Sequence, residues 1–141
     1  MTKIAVSLYL RGPDLDPEVI TAILGTQPTY RHKRGEKSIT STGRTVDPKT
    51  GVWAIRPVSE SEVMDDHVGL LEEKAGSLLE SLSKQELSFA TLPGVKDAYL
   101  DIFYIQMKSG SDSHEQEFSL APASIMKLAK FNLPIMFTID H

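Results

Sequence analysis

Basic side chains are concentrated in residues 30–44. Five of them, Arg31, Lys33, Arg34, Lys37 and Arg44, occur with a single acid, Glu36, so the segment has a net charge of +4. Arginine binds phosphate and carboxylate groups through paired N–H donors, and lysine binds them through its point charge. We therefore interpret these five residues, with Trp53 shortly after them, as a candidate site for an anionic ligand or a partner. The alternative interpretation is a solvated loop whose charge balances acidic residues elsewhere.

Acidic side chains are concentrated in a second segment, residues 60–86, which has eight acids and two lysines. The apolar residues of this segment recur at steps of three and four, as they do along one side of an amphipathic helix. Four of its acids are candidates for an acidic interaction surface: Asp66, Glu72, Glu73 and Glu80. A negative surface of this kind steers a protein onto a basic partner.

The sequence lacks the usual signals for catalysis and for metal binding. Cysteine is absent, which excludes a disulfide, a thiolate metal site and a cysteine nucleophile. The four histidines, His32, His67, His114 and His141, do not have the spacing of metal ligands. Motifs of serine hydrolases, of phosphate-binding loops and of dinucleotide-binding folds are missing too. We therefore assign no catalytic residue, no metal site and no cofactor, and the sequence favours a protein that is not an enzyme.

The first half of the chain predicts a strand, a helix and a hairpin. Residues 3–10 alternate between apolar and other side chains, which predicts a half-buried strand. A helix follows, with Asp16 as its cap, Pro17 at its first position and Gly25 just past its end. Residues 43–58 contain the turn sequence Asp47-Pro48 between two extended runs, which predicts a hairpin.

The second half predicts a long helix over residues 62–87 and a central strand over residues 98–107, where both alternating faces are apolar. A short strand around residues 117–120 and a helix that begins at Pro122 come next. The last strand, residues 133–140, is expected to bury the alternating side chains Leu133, Ile135, Phe137 and Ile139.

The order of these elements is βαββαββαβ, which favours an α+β fold. We expect a two-layer sandwich in which a ferredoxin-like βαββαβ core is extended by a βαβ unit, with a mixed sheet and helices on one face. The 141 residues fit one domain, 1–141. We find neither a secretion signal nor an apolar run of roughly 20 residues that would span a bilayer, so we expect a cytoplasmic protein without membrane contact.

Several short motifs occur along both halves of the chain. The first half contains Asp14-Leu15-Asp16-Pro17, Ile20-Thr21, Leu24-Gly25, Pro28-Thr29, the basic loop up to Gly35, and Gly51-Val52-Trp53. The second half contains Phe118-Ser119-Leu120-Ala121-Pro122, Leu128-Ala129, Leu133-Pro134 and Asp140. Together these motifs resemble those of a bacterial domain-of-unknown-function family, DUF4279. The resemblance spans nearly the whole chain and implies a small, stand-alone α+β protein from a bacterium. It brings no established activity.

Three hypotheses for the function follow from these observations. The first is a non-catalytic protein-interaction module of the immunity or regulatory type, with a protein partner of unknown identity and an acidic surface for docking. The second is a binder of small anionic ligands, or an enzyme for them, that uses the basic loop 30–44. The third, nucleic-acid binding through the same loop, is disfavoured because the chain as a whole is acidic. A homodimer is a further expectation if the sheet has an exposed edge.

Overall fold

The computed structural model describes residues 2–56, 64–106 and 119–140. The elements in chain order are β1 (Thr2–Gly12), α1 (Pro17–Leu24), β2 (Tyr30–His32), β3 (Ser38–Ile39), β4 (Thr45–Val46), β5 (Gly51–Ile55), α2 (Met64–Lys84), β6 (Asp97–Gln106), α3 (Pro122–Ala129) and β7 (Ile135–Asp140). A short 3-10 helix, Phe89–Thr91, lies between α2 and β6.

Five strands form one mixed sheet in the order β2-β5-β1-β6-β7, and β3 and β4 form a separate two-stranded ribbon. Strand β2 is antiparallel to β5, whereas β6 and β7, the strands on either side of α3, are parallel. The predicted α+β class is therefore confirmed.

The described contacts divide the chain into two compact units. One consists of Met1–Leu8, Arg56–Ser77 and Tyr99–His141, and the other consists of Tyr9–Ile55 and Leu78–Ala98. Helix α3 and strand β7 belong to the first unit, and α1 and β2 to β5 belong to the second.

Helix α1 begins and ends where the sequence predicts. The Asp16 carboxylate accepts a hydrogen bond from the backbone N–H of Glu18 at 3.0 Å, and Pro17 follows it at the first helical position. Gly25 ends the helix with φ at +69°, in the left-handed region that glycine adopts without strain. Both helix boundaries are therefore set by local backbone chemistry that is visible in the sequence.

Helix α2 confirms the predicted amphipathic helix from Met64 onward. The comparison begins there because residues 62 and 63 lie outside the described part. The apolar positions at steps of three and four are all buried, and they are Met64, Val68, Leu71, Ala75, Leu78 and Leu82. His67 is also buried on this helix. In β1 the predicted inward residues Ile4, Val6, Leu8 and Leu10 are buried, but Ser7 on the other face is buried too, so the strand is more than half-buried.

The predicted hairpin over residues 43–58 is wrong. The structure has two strands there, but β4 pairs with β3 in the ribbon, and β5 pairs with β2 in the main sheet. Residues Gly51 to Ile55 are all buried, so β5 needs neighbours that a two-residue strand cannot supply. The Asp47-Pro48 turn therefore joins strands of different sheets.

The predicted burial of the last strand is also wrong. Strand β7 ends the described sheet and has β6 as its neighbour, and its side chains from Ile135 to Ile139 are exposed on both faces. Phe137 is 56% exposed and Ile139 is 51% exposed. Alternation showed that one face is apolar, but it does not say whether another element covers that face.

The short strand predicted around 117–120 falls partly outside the described residues, which resume at Ser119. Ser119 and Leu120 are not in a strand. Helix α3 then begins at Pro122, as predicted, and its preceding backbone N–H, on Ala121, donates to the Asp65 carboxylate at 3.1 Å.

Candidate functional site

A cleft of about 430 Å³ lies in the second unit, between the end of β1, strand β2, the ribbon and the turn before β5. Its lining residues are Arg11, Tyr30, Arg31, His32, Glu36, Lys37, Ser38, Val46, Pro48, Lys49 and Thr50. The volume falls within the range of roughly 300–1,000 Å³ found for small-molecule sites. We refer to it as the basic cleft, because four of its lining residues are basic and one is acidic.

Strand β2 is held at the basic cleft by its pairing with β5. Tyr30 lies opposite Ala54, and His32 lies opposite Val52. Just before the strand, the Thr29 backbone N–H donates to the Ala54 carbonyl oxygen at 2.9 Å. Because β5 is buried along its whole length, this wall of the cleft is anchored to the core.

The opposite wall is built by the turn after β2 and by the ribbon. The Glu36 carboxylate accepts the backbone N–H of Lys33 at 2.9 Å, and Gly35 takes the left-handed conformation with φ at +79°. The Gly35 N–H donates to the Pro48 carbonyl oxygen at 3.0 Å, which ties this turn to the turn before β5. The ribbon that follows has no buried residue.

Two aromatic rings lie side by side on β2. Tyr30 and His32 share one face of the strand, and their rings meet edge to face with centroids 5.4 Å apart. The Nδ1 atom of His32 is buried and has no hydrogen-bond partner among the described residues. A buried polar atom without a partner costs about 1–3 kcal/mol, so it calls for an explanation, and functional sites are one place where such atoms occur.

The cations that line the basic cleft differ in how they are compensated. Lys49 lies 3.7 Å from the Asp47 carboxylate, with its side chain 89% exposed. Arg31 and Lys37 have no ion-pair partner among residues 2–56, 64–106 and 119–140. Two positive charges at the cleft are therefore available to an anion.

The other basic candidates from the sequence lie outside the lining. The Lys33 ammonium is 3.6 Å from Asp16, and the Arg34 guanidinium is 3.4 Å from Asp14. Arg44 is exposed on the ribbon side and does not line the cleft. Of the five basic candidates, the structure thus brings Arg31 and Lys37 together at the cleft and turns the others elsewhere.

Trp53 lies in the core and not in the cleft. Its side chain is fully buried, and its indole Nε1–H donates to the Thr21 hydroxyl at 3.0 Å. This bond satisfies the one polar atom of the ring, so Trp53 joins β5 to α1 and offers no surface to a ligand.

Sequence reasoning missed Arg11, Tyr30, His32 and Lys49 as residues of one site. Arg11 ends the first strand, and Lys49 belongs to a turn, so neither has a spacing that links it to β2. One sequence signal could have indicated their proximity. Turn residues cluster on both sides of residues 30–44, and such turns bring the flanking parts of the chain back towards each other.

The acidic candidates on α2 fall into two groups. Asp66 and Glu73 are exposed, whereas Glu72 lies 3.9 Å from Lys127 and 3.8 Å from Lys130. Glu80 lies 3.4 Å from Lys84, one helical turn away. Part of the predicted acidic surface is therefore neutralised within the chain, and Asp66 and Glu73 supply its free charge.

Asp65 has a structural role beside these acids. The Ser124 hydroxyl and the Ala121 backbone N–H donate hydrogen bonds to its carboxylate, and together with the nearby Lys127 they lower the pKa of Asp65 below its usual value of 3.8. No group of three or more His, Asp or Glu side chains with the geometry of a metal site occurs in the described ranges.

An apolar surface is exposed on the first unit. Helix α3 contributes Ile125 and Met126, and strand β7 contributes Ile135, Met136, Phe137 and Ile139. These side chains are between 38% and 69% exposed. Exposed apolar side chains mark contact surfaces where they form a contiguous patch, and scattered ones are ordinary. Among the described helices, none is both long enough and apolar enough to cross a bilayer.

Comparison with protein families gives a match over nearly the whole chain. The family model described as Domain of unknown function (DUF4279) matches residues 2–141. Neither the curated proteins nor the solved structures contain a significant match.

Proposed function

Because the chain belongs to the DUF4279 family, whose description carries no activity, we propose its function from the geometry of the basic cleft: it binds a small anionic ligand there. The observation that supports this most is the pair of cations Arg31 and Lys37, which lie at a cleft that His32 also lines and which have no ion-pair partner in the described part of the chain. An anion between the two cations gains charge-assisted hydrogen bonds, which are about twice as strong as neutral ones.

Calorimetric titration with inorganic phosphate and with acetate tests this proposal. We expect binding of at least one of them, and we expect Arg31→Gln combined with Lys37→Gln to weaken it by about tenfold or more, as the loss of a charged hydrogen bond does. The matched control is Arg44→Gln, which removes a cation of the same segment that does not line the cleft. An equal loss in the control, or an affinity that the double variant leaves unchanged, would overturn the proposal.

A second candidate function is a protein-interaction module of the immunity or regulatory type. It is favoured by the exposed apolar side chains of α3 and β7, which form the kind of surface that a partner covers. Asp66 and Glu73 on α2 add negative charge that steers a basic protein partner. A second copy of the chain is the alternative occupant, since β7 is an edge strand of the described sheet.

Sedimentation of the pure protein separates these two occupants. A dimer that Phe137→Glu converts to a monomer would support self-association through β7, whereas a monomer leaves a different protein as the occupant. For that case, Asp66→Lys with Glu73→Lys should slow capture by an immobilised partner. Unchanged capture by this variant and by Phe137→Glu would remove the interaction hypothesis.

We also propose that the sheet is ferredoxin-like with an appended βαβ unit. In that fold the first and third strands lie in the centre, with the second and fourth outside them. The order β2-β5-β1-β6 supports this assignment when β5 is counted as the third strand, and the parallel β6 and β7 on either side of α3 support the added unit.

The proposed setting is the cytoplasm of a bacterium. The absence of cysteine means that neither candidate function depends on a disulfide or a thiol. Nucleic acid is not part of the proposal, because the chain has a net charge of −4 and such binders are usually basic.

A further inference from the structure

We infer that the ligand of the basic cleft is an organic anion with an aromatic or similar apolar ring, such as an aryl or nucleoside phosphate, and not an inorganic anion. This inference rests on the proposed function and narrows its ligand class from small anions in general to anions that carry a ring.

The first reason is the chemistry of the cleft wall. Besides the cations, the lining includes the ring of Tyr30, which is 37% exposed, and the side chains of Val46 and Pro48. Val46 is 39% exposed on the ribbon. Apolar area that is left open at a small-molecule site contributes to affinity when a ligand covers it, whereas an inorganic anion covers none of it.

The second reason is the orientation of the aromatic pair. His32 meets Tyr30 edge to face at an interplanar angle of 88°, so a planar ligand can stack on one ring while it meets the edge of the other. Aromatic groups prefer offset-stacked and edge-to-face arrangements of this kind. The two rings therefore form a corner that is suited to a third ring.

The third reason is size. A water molecule takes about 30 Å³ of the liquid, so a cleft of about 430 Å³ holds far more than one inorganic anion. A bare phosphate between Arg31 and Lys37 would leave Tyr30, Val46 and Pro48 in contact with water. A ligand with a ring and an anionic group fills both parts of the cleft.

The test compares four probes by calorimetry: inorganic phosphate, phenyl phosphate, acetate and benzoate. We expect each ring-bearing probe to bind about tenfold more tightly than its bare counterpart, an advantage typical of one buried aromatic contact. The stronger of phenyl phosphate and benzoate identifies the anionic group. Adenosine monophosphate is then compared with phenyl phosphate, and tighter binding of the nucleotide would identify the ring as a nucleobase.

Variants at Tyr30 give the second readout. Tyr30→Ala should remove the advantage of phenyl phosphate over inorganic phosphate, whereas Tyr30→Phe should keep that advantage. In nuclear magnetic resonance spectra, the ring protons of His32 should shift with phenyl phosphate much more than with inorganic phosphate, and this measurement needs no variant to fold.

The outcomes separate the inference from the function on which it rests. Phenyl phosphate and inorganic phosphate could bind equally, and the Arg31 and Lys37 substitutions could weaken both. This result overturns the inference that the ligand carries a ring, but it supports the proposed anion site. Binding of none of the probes overturns both. A ring advantage that survives Tyr30→Ala overturns the assignment of the ring contact to this cleft.

Discussion

The role of each basic residue in 30–44 depends on which carboxylate lies near it. Lys33 and Arg34 face Asp16 and Asp14, at the start of α1, whereas Arg31 and Lys37 have no acid beside them in the described residues. The paired cations are exposed, and exposed ion pairs contribute only about 0–1 kcal/mol. The ion pairs of Lys33 and Arg34 therefore add little stability. Their main effect is that these two cations are less available to bind an anion.

The hydrogen bond between Trp53 and Thr21 gives the first prediction. Thr21→Val keeps the shape of the side chain but leaves the buried indole N–H without an acceptor, so we expect the free energy of unfolding to fall by about 1–3 kcal/mol. Chemical denaturation measures it. Thr21→Ser keeps the hydroxyl and should lose less. Phosphate affinity should stay the same in both variants, and a parallel loss of affinity would place Trp53 in the ligand site after all.

Asp65 gives a prediction about pH. Its pKa is lower in the folded protein than the usual 3.8, so its charged form stabilises the fold above that value, and the contribution is lost as the pH falls through the lowered pKa. Asp65→Asn should therefore lower the melting temperature at pH 7, and the difference from the parent protein should disappear in strong acid. Melting curves across this range measure the effect.

A control variant shows whether the effect of Asp65→Asn on the melting temperature comes from the hydrogen bonds of Asp65. Asp66→Asn changes the neighbouring carboxylate, which is exposed and has no ion-pair or hydrogen-bond partner in the described ranges, so its melting temperature should follow the parent protein at every pH. If both variants behaved alike, the cause would be net charge and not the hydrogen bonds from Ser124 and Ala121.

At the scale of elements, the sequence predicts the helices well because their signals are local. The Asp16 cap, Pro17 and Gly25 lie within ten residues, and the buried stripe of α2 is a single periodic pattern. The pairing of β5 with β2 is not a local property, since about twenty residues and a two-stranded ribbon separate the strands. The turn sequence at Asp47-Pro48 indicated a reversal correctly but could not say which strand would be the neighbour.

The same limit explains what was predicted of the site. Arg31 and Lys37 were identified by composition, because they lie in one basic segment. Arg11 and Lys49 reach the basic cleft only through the folding of β1 and of the turn before β5, and His32 is important because of an unsatisfied atom. None of these properties follows from spacing along the chain.

The close packing around a glycine of strand β5 gives a prediction about stability at the scale of elements. A Cβ atom added at Gly51 would lie 2.3 Å from the Leu15 carbonyl oxygen, so Gly51→Ala must push β5 away from the segment before α1. We expect a loss of about 1–3 kcal/mol in the free energy of unfolding, as for other overpacked sites. Denaturant titration is the measurement.

Gly69 is the matched control for this substitution. It lies within α2, and no described atom outside its own helix backbone and chain neighbours lies within 4 Å of an added Cβ. Gly69→Ala should therefore raise the stability by up to about 1 kcal/mol, because alanine is the better helix former. Destabilisation by this change would mean that another backbone packs against α2 at that point.

At the scale of the whole molecule, the net charge of −4 conceals an uneven distribution. Residues 30–44 contribute +4, and the rest of the chain contributes −8. An anion that approaches from a distance meets a repulsive molecule, whereas one at the basic cleft meets Arg31 and Lys37. Salt screens both the long-range repulsion and the local attraction. An affinity that rises with salt concentration would mean that the repulsion controls binding, whereas an affinity that falls would mean that the local attraction does.

We expect the local charge to control it. Raising sodium chloride from about 0.01 M to about 1 M shortens the screening length from about 30 Å to about 3 Å. The affinity for phenyl phosphate should fall by about tenfold over this range, because the attraction between close charges near a protein surface amounts to a few kcal/mol. Calorimetry at both concentrations measures it, and an affinity that rises with salt would contradict the expectation.

The separation of the ribbon from the main sheet has a consequence for how this protein can evolve. Strand β2 is paired with the buried β5, so the backbone of that wall of the cleft is held by the core, although none of the three β2 side chains is buried. The ribbon supplies Ser38 and Val46 to the same cleft, yet none of its residues is buried. Surface substitutions away from the core usually change stability by less than about 0.5 kcal/mol. Under the proposed function, substitutions in the ribbon can therefore vary ligand preference with little cost in stability.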